Sequence, residues 1–437
     1  MLARLLALFL LLVAGPARAQ NDGAVQSPGQ RDGGAIIVIH AGRVIADPAR
    51  PALGPSTITV VDGRIQTIAA GHVPAPQGAR FIDLSTKTVL PGLIDMHVHL
   101  SGNPGGDYRN EAVDTDEYAV AMGVRNAERT LRAGFTTVRD LGSAPQVGFA
   151  LSRGTREGLF PGPRIVASGV PVSIVGGHGD VSGFRPDVIA ALSGHNTCTG
   201  AVECAALVRR LARNGAQVIK FTATGGVLSQ QARGLGQHFT DAEMKSIVDT
   251  AHSLGLKVAA HAHGARGIEA AARAGVDSIE HGTFADADAI AAMKANGSVL
   301  VPTLMAYTGI REGLAKGVFT PPVAEKVRMT LDQVGKAARA ARAAGVPVIF
   351  GTDSAVYPHG RNAEEFAQLV DRVGMSPAEA LASATTGAAE LIDMENEVGR
   401  IAPGYSADLI AVSGNPLEDI RALESVDWVM VRGRTID

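Results

Sequence analysis

Seven polar side chains stand within or directly after short apolar runs, where a buried strand normally carries none. They are His97 and His99 in LIDMHVHL, Lys220 in VIKF, His261 and His263 in VAAHAH, His281 in SIEH and Asp353 in FGTD. Imidazole and carboxylate ligands suit zinc and similar divalent metal ions. His97 and His99 alternate along an extended strand, so both side chains can point to one side and chelate one ion. The pattern predicts a shared metal site.

Lys220 is the unexpected member of this set, because an ammonium group repels a metal cation. A buried lysine loses its proton more readily, and the neutral amine can then react with carbon dioxide to form a carbamate. A carbamate has two oxygens and one negative charge, so it can bridge two metal ions. Two divalent ions bridged in this way, with zinc the expected metal, would polarise a carbonyl group and acidify water, which suits hydrolysis.

Each of these residues also has an ordinary explanation. A single histidine at a strand end is commonly structural, a buried lysine commonly forms an ion pair, and an aspartate there commonly caps the next helix. These explanations would have to hold independently at every position, whereas one metal site explains all of them together.

The elements that must position these groups follow a repeating sequence pattern, in which a helical segment ends at glycine and an apolar run follows; this pattern is called the glycine device below. The device recurs at 133–138, 214–219, 254–259, 274–279, 296–301 and 344–349. The runs 93–97 and 164–168 complete eight predicted strands. Helices are predicted between them, including 117–132, 241–254 (opened by a capping box of Thr240 and Glu243), 264–274, 285–295 and 363–373. Eight alternating units predict an α/β fold, a (β/α)8 TIM-like barrel over 91–396, whose chemistry lies at the C-terminal strand ends.

Strands are also predicted at both ends of the chain, at 35–45, 56–69, 406–414 and 426–436. Asp62-Gly63 predicts a hairpin turn within the second of these segments. We expect a small β-sandwich domain formed from both termini, its N-terminal part 35–90 and its C-terminal part 397–437. Residues 20–34 are polar and rich in glycine, and a disordered lead is expected there.

Residues 1–19 have the organisation of a secretory signal peptide. Arg4 precedes an apolar run of about ten residues, and Ala17-Arg18-Ala19 provides a small-x-small cleavage site. We expect cleavage before Gln20 and export to the periplasm or beyond, with an uncleaved anchor as the alternative. No stable membrane anchor is expected, because the run is too short to span a bilayer in the usual way.

Composition excludes some classes of function. The 437 residues include 40 basic and 43 acidic side chains, and no long basic run appears, so nucleic acid is not an expected partner. Hydrophobic residues make up 46% of the chain, enough for a large core. The two cysteines, Cys198 and Cys204, are expected to form a disulfide in an oxidising compartment, with two buried thiols as the alternative.

The motifs resemble those of a known family. VLPGLIDMHVHL (89–100) resembles the opening signature of the amidohydrolase superfamily, and the spread of lysine, histidine and aspartate is similar to its binuclear, carboxylated-lysine branch. ADLIAV (407–412) resembles another hallmark of the superfamily. The Xaa-Pro dipeptidase and carboxypeptidase-like group, which includes ochratoxin-hydrolysing amidohydrolases, has motifs similar to VIKFTATGGVLS (218–229), AAHAHG (259–264), SIEHGT (278–283), VPTL (301–304) and GTDSAVYPHGRNAEEF (351–366). The resemblance covers nearly the whole chain after the predicted signal peptide.

The resemblance implies a role for each ligand. Six side chains would hold two divalent ions: His97, His99 and Asp353 the more buried ion, His261 and His281 the second, and carboxylated Lys220 bridging both. Asp353 would also take a proton from the bridging water and pass it to the leaving amine. His263 would point at the substrate carbonyl and stabilise the oxyanion, with an exchanged metal role with His261 as the alternative.

Other positions are candidates for substrate contacts. His178, in a glycine-rich loop, could bind the substrate or support the loop. Gly225 and Gly226 would allow the backbone to approach a ligand closely. Arg233 could bind a substrate carboxylate or be a solvated loop residue, and His359 could contact the substrate or support the ligands. Four further histidines are expected to be structural or on the surface: His40, His72, His195 and His252.

The favoured function is an exported binuclear metal-dependent amidohydrolase that cleaves the amide bond to a C-terminal amino acid by attack of a metal-bridging hydroxide. Dipeptides, N-acyl amino acids and aryl amides such as ochratoxin A are the expected substrates, and a homo-oligomer is expected from the resemblance. The first alternative is an imidazolonepropionase- or deaminase-type hydrolase of cyclic C–N bonds, although those branches lack the bridging lysine. The second is a non-catalytic barrel binding protein, which would be expected to have lost ligands.

Overall fold

The computed structural model describes residues 36–104, 108–230 and 234–436. The predicted signal peptide, the predicted disordered lead and Arg233 lie outside the described residues. The strands are β1 (Ile36–Val44), β2 (Ser56–Val61), β3 (Arg64–Ala70), β4 (Arg80–Pro91), β5 (Leu93–Val98), β6 (Phe135–Asp140), β7 (Arg164–Ala167), β8 (Val218–Thr222), β9 (Lys257–Ala262), β10 (Ser278–His281), β11 (Val299–Val301), β12 (Leu409–Val412), β13 (Val426–Val431) and β14 (Arg434–Ile436).

The helices lie mostly between the central strands. They are α1 (Asp116–Arg132), α2 (Val147–Glu157), α3 (Pro186–Leu192), α4 (Ala201–Asn214), α5 (Asp241–Ser253), α6 (Ala265–Ala274), α7 (Ala287–Asn296), α8 (Leu304–Lys316), α9 (Pro321–Leu331), α10 (Lys336–Ala343), α11 (Glu364–Gln368), α12 (Pro377–Ser383) and α13 (Thr386–Leu391). Short 3-10 helices span Tyr108–Ala112 and Ile420–Glu424, and a π-helix, Leu369–Val373, continues α11. No helix among the described residues combines the length and apolar character needed to cross a membrane.

Strands from both ends of the chain form one seven-stranded sheet, in the order β14-β13-β12-β4-β1-β2-β3. β4, which the sequence analysis missed, joins the two ends, because it pairs parallel with β1 and antiparallel with β12. The predicted turn at Asp62-Gly63 is confirmed between β2 and β3. Ile39, Ile58 and Met430 belong to a core of this sheet's own. All seven strands lie in one sheet, so the β-sandwich and the domain boundaries stay predictions.

The central strands form two parallel sheets, β5-β6-β7 and β11-β10-β9-β8. All five residues of β8 are buried, as expected for a strand covered on both faces. The glycine device has a direct physical basis at Gly275, which ends α6 with φ 98° and donates its N–H to the last turn of the helix. The capping box of Thr240 and Glu243 at the start of α5 is confirmed.

The eighth predicted strand, 344–349, is not a strand in the structure. Val348 makes a single bridge to β11 instead, and Ser354, beyond the predicted range, makes one to β5. Pro347 has no N–H to donate, and Asp353 leaves the extended region with φ 60°, so a regular ladder cannot form. The mixed α/β class is confirmed, and a closed eight-stranded barrel stays a prediction.

Candidate metal centre

The C-terminal strand ends bring one group of predicted ligands into contact. His97 Nε2 lies 3.3 Å from His99 Nε2 and 3.6 Å from Asp353 Oδ1, and His99 Nε2 lies 3.2 Å from the same oxygen. Lys220 Nζ lies 3.5 Å from His97 Nε2. Side chains from three distant segments of the chain therefore converge on one small volume.

A second group of histidines lies beside the first. His281 Nε2 is 3.0 Å from His261 Nδ1, and the ligand atoms of His261, His263 and His281 all lie within 4.8 Å of one another. The ligand atoms of His97, His281 and Asp353 meet the same limit. His281 is thus close to both groups, whereas the resemblance assigned it to the second ion alone.

Backbone strain is concentrated at two of these residues. His281 has φ 68° and Asp353 has φ 60°, in the left-handed region that costs a residue with a side chain about 1–2 kcal/mol. Each residue stands where its strand or extended segment ends. Strain of this kind at two polar residues that meet is typical of a functional site.

Hydrogen bonds on the far side of each ring determine which nitrogen faces the centre. His97 Nδ1 donates to Glu280 Oε2 and His99 Nδ1 donates to the carbonyl oxygen of Gly142, both at 2.8 Å, since neither partner can donate. The Nε2 atoms of both rings then face Asp353. Burial would lower the pKa of His99, but the hydrogen bond to Asp353 raises it above its usual value. A lone pair and a carboxylate oxygen at these distances repel each other unless a proton or a metal ion lies between them.

The protonation states favour a metal ion at this position. Burial, with a smaller contribution from Lys220, lowers the pKa of His97 to about 4, and burial lowers the pKa of His261 and His281 well below the usual value. Burial alone would raise the pKa of Asp353, but the neighbouring histidines hold it well below its ordinary value. Neutral imidazoles beside an ionised carboxylate are the donor set that divalent transition metals bind.

Burial makes the amine of Lys220 more readily modified than that of a lysine in water. Its side chain is 3% exposed, and burial lowers its pKa to about 8. A larger fraction of the amine is therefore neutral than for a lysine in water, and the neutral amine is the form that reacts with carbon dioxide.

A buried ion pair between Arg139 and Glu280, which the sequence did not predict, orients the ring of His97. Arg139 on β6 lies 2.8 Å from Glu280 Oε1 and also donates to the carbonyl oxygen of Met96 at 2.7 Å. Burial would raise the pKa of Glu280, but Arg139 and His97 bring it down to about 2. Glu280 therefore stays ionised and orients His97. Arg139 directly follows the predicted strand 133–138, and the polar residues around it in FTTVRD give no apolar run of the kind that identified Lys220.

Asp95 connects β5 to the segment that carries Asp353. Its carboxylate accepts from the amide of Thr352 at 3.1 Å and from the Thr352 hydroxyl at 2.6 Å. Asn362 donates to its second oxygen at 2.8 Å. Burial raises the pKa of Asp95 to about 6. This network holds the 352–353 backbone beside β5 and so helps to place Asp353 next to His97.

His263 ends a chain of hydroxyl groups that the sequence analysis also missed. Its Nδ1 lies 2.6 Å from Thr283 Oγ1, and that oxygen lies 2.5 Å from the hydroxyl of Tyr307 on α8. Tyr307 is buried, which raises its pKa above the usual value, so its hydroxyl keeps the proton. Spacing alone could not reveal this chain, because its members come from two loops and a helix.

His178 reaches the centre, as expected for a residue of the active rim. Its ring centroid lies 4.2 Å from that of His261, and its Nδ1 lies 2.6 Å from Ser229 Oγ. The two predicted glycines are explained by contacts within the protein. A Cβ at Gly226 would lie 2.3 Å from the His178 ring, and a Cβ at Gly225 would lie 2.1 Å from the carbonyl oxygen of Gly234.

The other predicted residues lie around the centre or away from it. His359 Nε2 lies 3.1 Å from the carbonyl oxygen of Gly102, in the turn after His99, so it supports that turn. Cys198 and Cys204 form a disulfide, as expected. Three of the histidines expected to be structural lie elsewhere: His40 stacks on His72 in the terminal sheet, and His252 pairs with Asp277.

The centre is open on one side. The side chains of His99 and Asp353 are 29% and 13% exposed, whereas His97 is 1% exposed. His178 is half-buried. A substrate would therefore approach from the more exposed side, where His99 and Asp353 lie.

Comparison with known proteins decides the family. The sequence model of the amidohydrolase family matches residues 88–436. The chain belongs to the amidohydrolase family. This amidohydrolase is 31% identical over 414 residues to an ochratoxinase of Aspergillus niger, covering 89% of this chain and 83% of the relative. The family and these relatives make it a hydrolase of amide or peptide C–N bonds.

Solved structures agree with this assignment. The amidohydrolase is similar to a Xaa-Pro dipeptidase with methionine bound in its active site, at 37% identity and a TM-score of 0.87, covering 92% of this chain and 100% of the other. It is also similar to a prolidase in complex with N-methylphosphonate-L-proline, at 32% identity and a TM-score of 0.84, covering 92% and 99%.

Proposed function

We propose that this amidohydrolase is a binuclear metal-dependent enzyme that cleaves the amide bond to a C-terminal amino acid. Dipeptides, N-acyl amino acids and aryl amides such as ochratoxin A form the substrate class. The observation that carries the proposal is the buried convergence of imidazole, carboxylate and lysine groups whose lone pairs face one another. The ligands of the two solved relatives, methionine and a phosphonate analogue containing proline, support an amino acid unit in the substrate.

In this proposal His97, His99 and Asp353 would hold one ion, His261 and His281 would hold the second, and Lys220, once carboxylated, would be a ligand shared by both. When bound, such ions polarise the substrate carbonyl and lower the pKa of water. Asp353 is ionised and partly exposed, so it can accept a proton from the attacking water and donate it to the leaving amine.

We also infer that the two parallel sheets are parts of one (β/α)8 barrel. Backbone hydrogen bonds across both gaps support this inference. The amide of Val172 donates to the carbonyl of Lys220 at 2.8 Å, and the amide of Asp353 donates to the carbonyl of His97 at 2.7 Å. A barrel places all the proposed ligands at one mouth.

Metal removal tests the function. After dialysis against a chelator, hydrolysis of dipeptides, N-acyl amino acids and ochratoxin A should fall to background, and it should return with about two divalent ions per chain. Product identification by mass spectrometry should show a free C-terminal amino acid. Unchanged hydrolysis in the metal-free protein would overturn the proposal, and about one ion per chain with turnover of cyclic amides would replace it with the imidazolonepropionase-type alternative.

The chain of hydroxyls gives His263 a defined task in this reaction. We propose that Tyr307 donates to Thr283 and that Thr283 donates its only hydrogen to His263 Nδ1. His263 then carries its proton on Nε2 and can donate it to the carbonyl oxygen as negative charge develops there. This direction separates His263 from the metal-binding histidines, which need an unprotonated nitrogen.

Thr283→Val should therefore lower kcat about 10- to 100-fold without loss of bound metal, since one oriented hydrogen-bond donor is weakened. Nitrogen-15 NMR of the histidine rings should show His263 as the Nε2–H tautomer in the wild type and a mixture in the variant. Tyr307→Phe should give a smaller loss, because Thr283 can still donate. Loss of an ion in Thr283→Val would identify His263 as a ligand and contradict the proposal.

We propose that residues 1–19 direct export and are removed. Two observations support this: the sequence organisation of residues 1–19, and the disulfide of Cys198 and Cys204, which fits an oxidising compartment. N-terminal sequencing of the protein recovered from outside the cytoplasm should begin at Gln20, and an intact N-terminus would contradict cleavage.

A further inference from the structure

Lys326 is a buried cation that the proposed reaction does not use. It lies on α9 and is 5% exposed. Its Nζ donates to the carbonyl oxygens of Gly226 at 2.9 Å and Ser229 at 2.6 Å. Burying an ammonium group costs free energy even when it is hydrogen-bonded, so a buried lysine is uncommon unless its hydrogen bonds serve a purpose.

The residues that Lys326 binds belong to the 225–230 segment, which follows β8 and borders the metal centre. Ser229 Oγ lies 2.6 Å from His178 Nδ1, and the His178 ring lies directly against Gly226. The carbonyl oxygen of Gly225 lies 3.4 Å from His261 Nε2. The same few residues thus contact Lys326 on one side and two histidines of the site on the other.

A second contact ties α9 to this segment. The hydroxyl of Thr320, the residue before α9, donates to Gln230 Oε1 at 2.8 Å. Because the segment contains two adjacent glycines, its backbone has wide conformational freedom. Contacts at Gly226, Ser229 and Gln230 remove that freedom, and Lys326 provides two of them.

We propose that Lys326 is a positioning residue for substrate binding, which holds the 225–230 segment so that His178 faces the substrate. This inference rests on the proposed function, because it requires that a substrate bound at the metal centre contacts His178. The ammonium group suits the task, since its compact charge and three tetrahedrally arranged N–H donors can bind several carbonyls at once. A displacement of about 1 Å in a positioning group can cost as much as 10²-fold in rate.

Lys326→Met tests the proposal, because methionine is similar in length and has no donor. In the metal-loaded full-length enzyme, kcat/KM should fall about 10- to 100-fold, with about two ions still bound. Hydrogen exchange should show faster exchange of the 225–230 amides, a readout that does not depend on turnover. Lys245→Met, at an exposed lysine of α5, is the matched control and should leave activity and exchange unchanged.

A double-mutant cycle with His178→Ala identifies the route of the effect. If Lys326 acts through His178, the double variant should be no slower than His178→Ala alone, because the two changes remove one interaction. Multiplicative losses would overturn the proposal, as would His178→Ala with unchanged KM and kcat. If Lys326→Met fails to fold, Ser229→Ala takes its place, since it breaks the contact to His178 and leaves Lys326 intact. Unchanged kcat/KM in Ser229→Ala would then overturn it.

The proposed function can fail separately. A metal-loaded wild type that hydrolyses none of the amide substrates would overturn the function, and this inference falls with it. A wild type that is active, with unchanged exchange of 225–230 in Lys326→Met, would overturn this inference alone.

Discussion

Lys220→Ala should be almost inactive, with kcat/KM lower by about 10³-fold or more, because the loss of a bridging ligand removes several kcal/mol of transition-state stabilisation. Bound metal should fall from about two ions per chain to about one or fewer, since the remaining histidines lose a shared anionic ligand. Steady-state kinetics and metal analysis of the purified variant measure both effects. The reason lies in the position of Lys220, whose Nζ is 3.5 Å from His97 Nε2 in a nearly solvent-free setting.

A short carboxylic acid such as propionate should restore part of the activity of Lys220→Ala. Alanine leaves room next to His97, and a free carboxylate supplies the two oxygens and the negative charge of the carbamate. Lys220→Arg should be inactive and should not be rescued, because the guanidinium fills the space and remains a cation. Inactivity of Lys220→Ala, its rescue by propionate and the lack of rescue in Lys220→Arg would together show that Lys220 acts as a carboxylate ligand and not as a positive charge.

Lys257→Ala is the control for this experiment. Lys257 begins β9, beside β8 in the same sheet, but lies at the N-terminal end, where it pairs with Asp277. Its replacement should leave kcat/KM and metal content unchanged. Wild-type activity with two ions in Lys220→Ala, without added carboxylate, would show that Lys220 does not bridge the ions.

The residues that converge at the candidate metal centre could be predicted from the sequence because each one stands within or directly after an apolar run. A polar residue at the end of a buried strand is costly unless it has a task, so the interruption carries information about function. Arg139 directly follows the predicted strand 133–138, but the sequence does not tell what a buried charge binds. Its partner Glu280 is 141 positions away, and only the folded sheets bring the two together.

The supporting residues were harder to predict for a related reason. Thr283, Tyr307 and Lys326 have ordinary local surroundings in the sequence, and their importance arises from contacts between separate segments. The eighth strand was wrongly predicted because the helix-then-glycine pattern continues through 344–349, while Pro347 and the left-handed backbone at Asp353 interrupt the ladder. β4 was missed although it joins the two ends of the chain.

Asp353→Asn should lower kcat by about 10²- to 10⁴-fold, the usual contribution of a general acid–base group. Asparagine has the same shape and keeps an oxygen near His97 and His99, but it cannot accept and then donate a proton. Metal content should therefore fall less than in Asp353→Ala, which removes the ligand atom altogether. Kinetics and metal analysis of the two variants distinguish the loss of proton transfer from the loss of a ligand.

The leaving group gives a sharper test of the same role. The anilide of a nitro-substituted aminobenzoic acid keeps the carboxylate of the leaving amino acid, but its weakly basic amine leaves without needing a full proton, whereas an aliphatic amino acid amine must be protonated as the C–N bond breaks. The loss of rate caused by Asp353→Asn should therefore be about 10-fold smaller for the anilide than for a dipeptide, because the anilide does not depend on proton donation to its leaving amine. Asp286→Asn is the matched control. Asp286 caps α7, and asparagine caps a helix equally well, so kcat should not change. Equal losses for both substrates would mean that Asp353 accepts the proton of water but another group protonates the amine, and His178 would then be the residue to replace next.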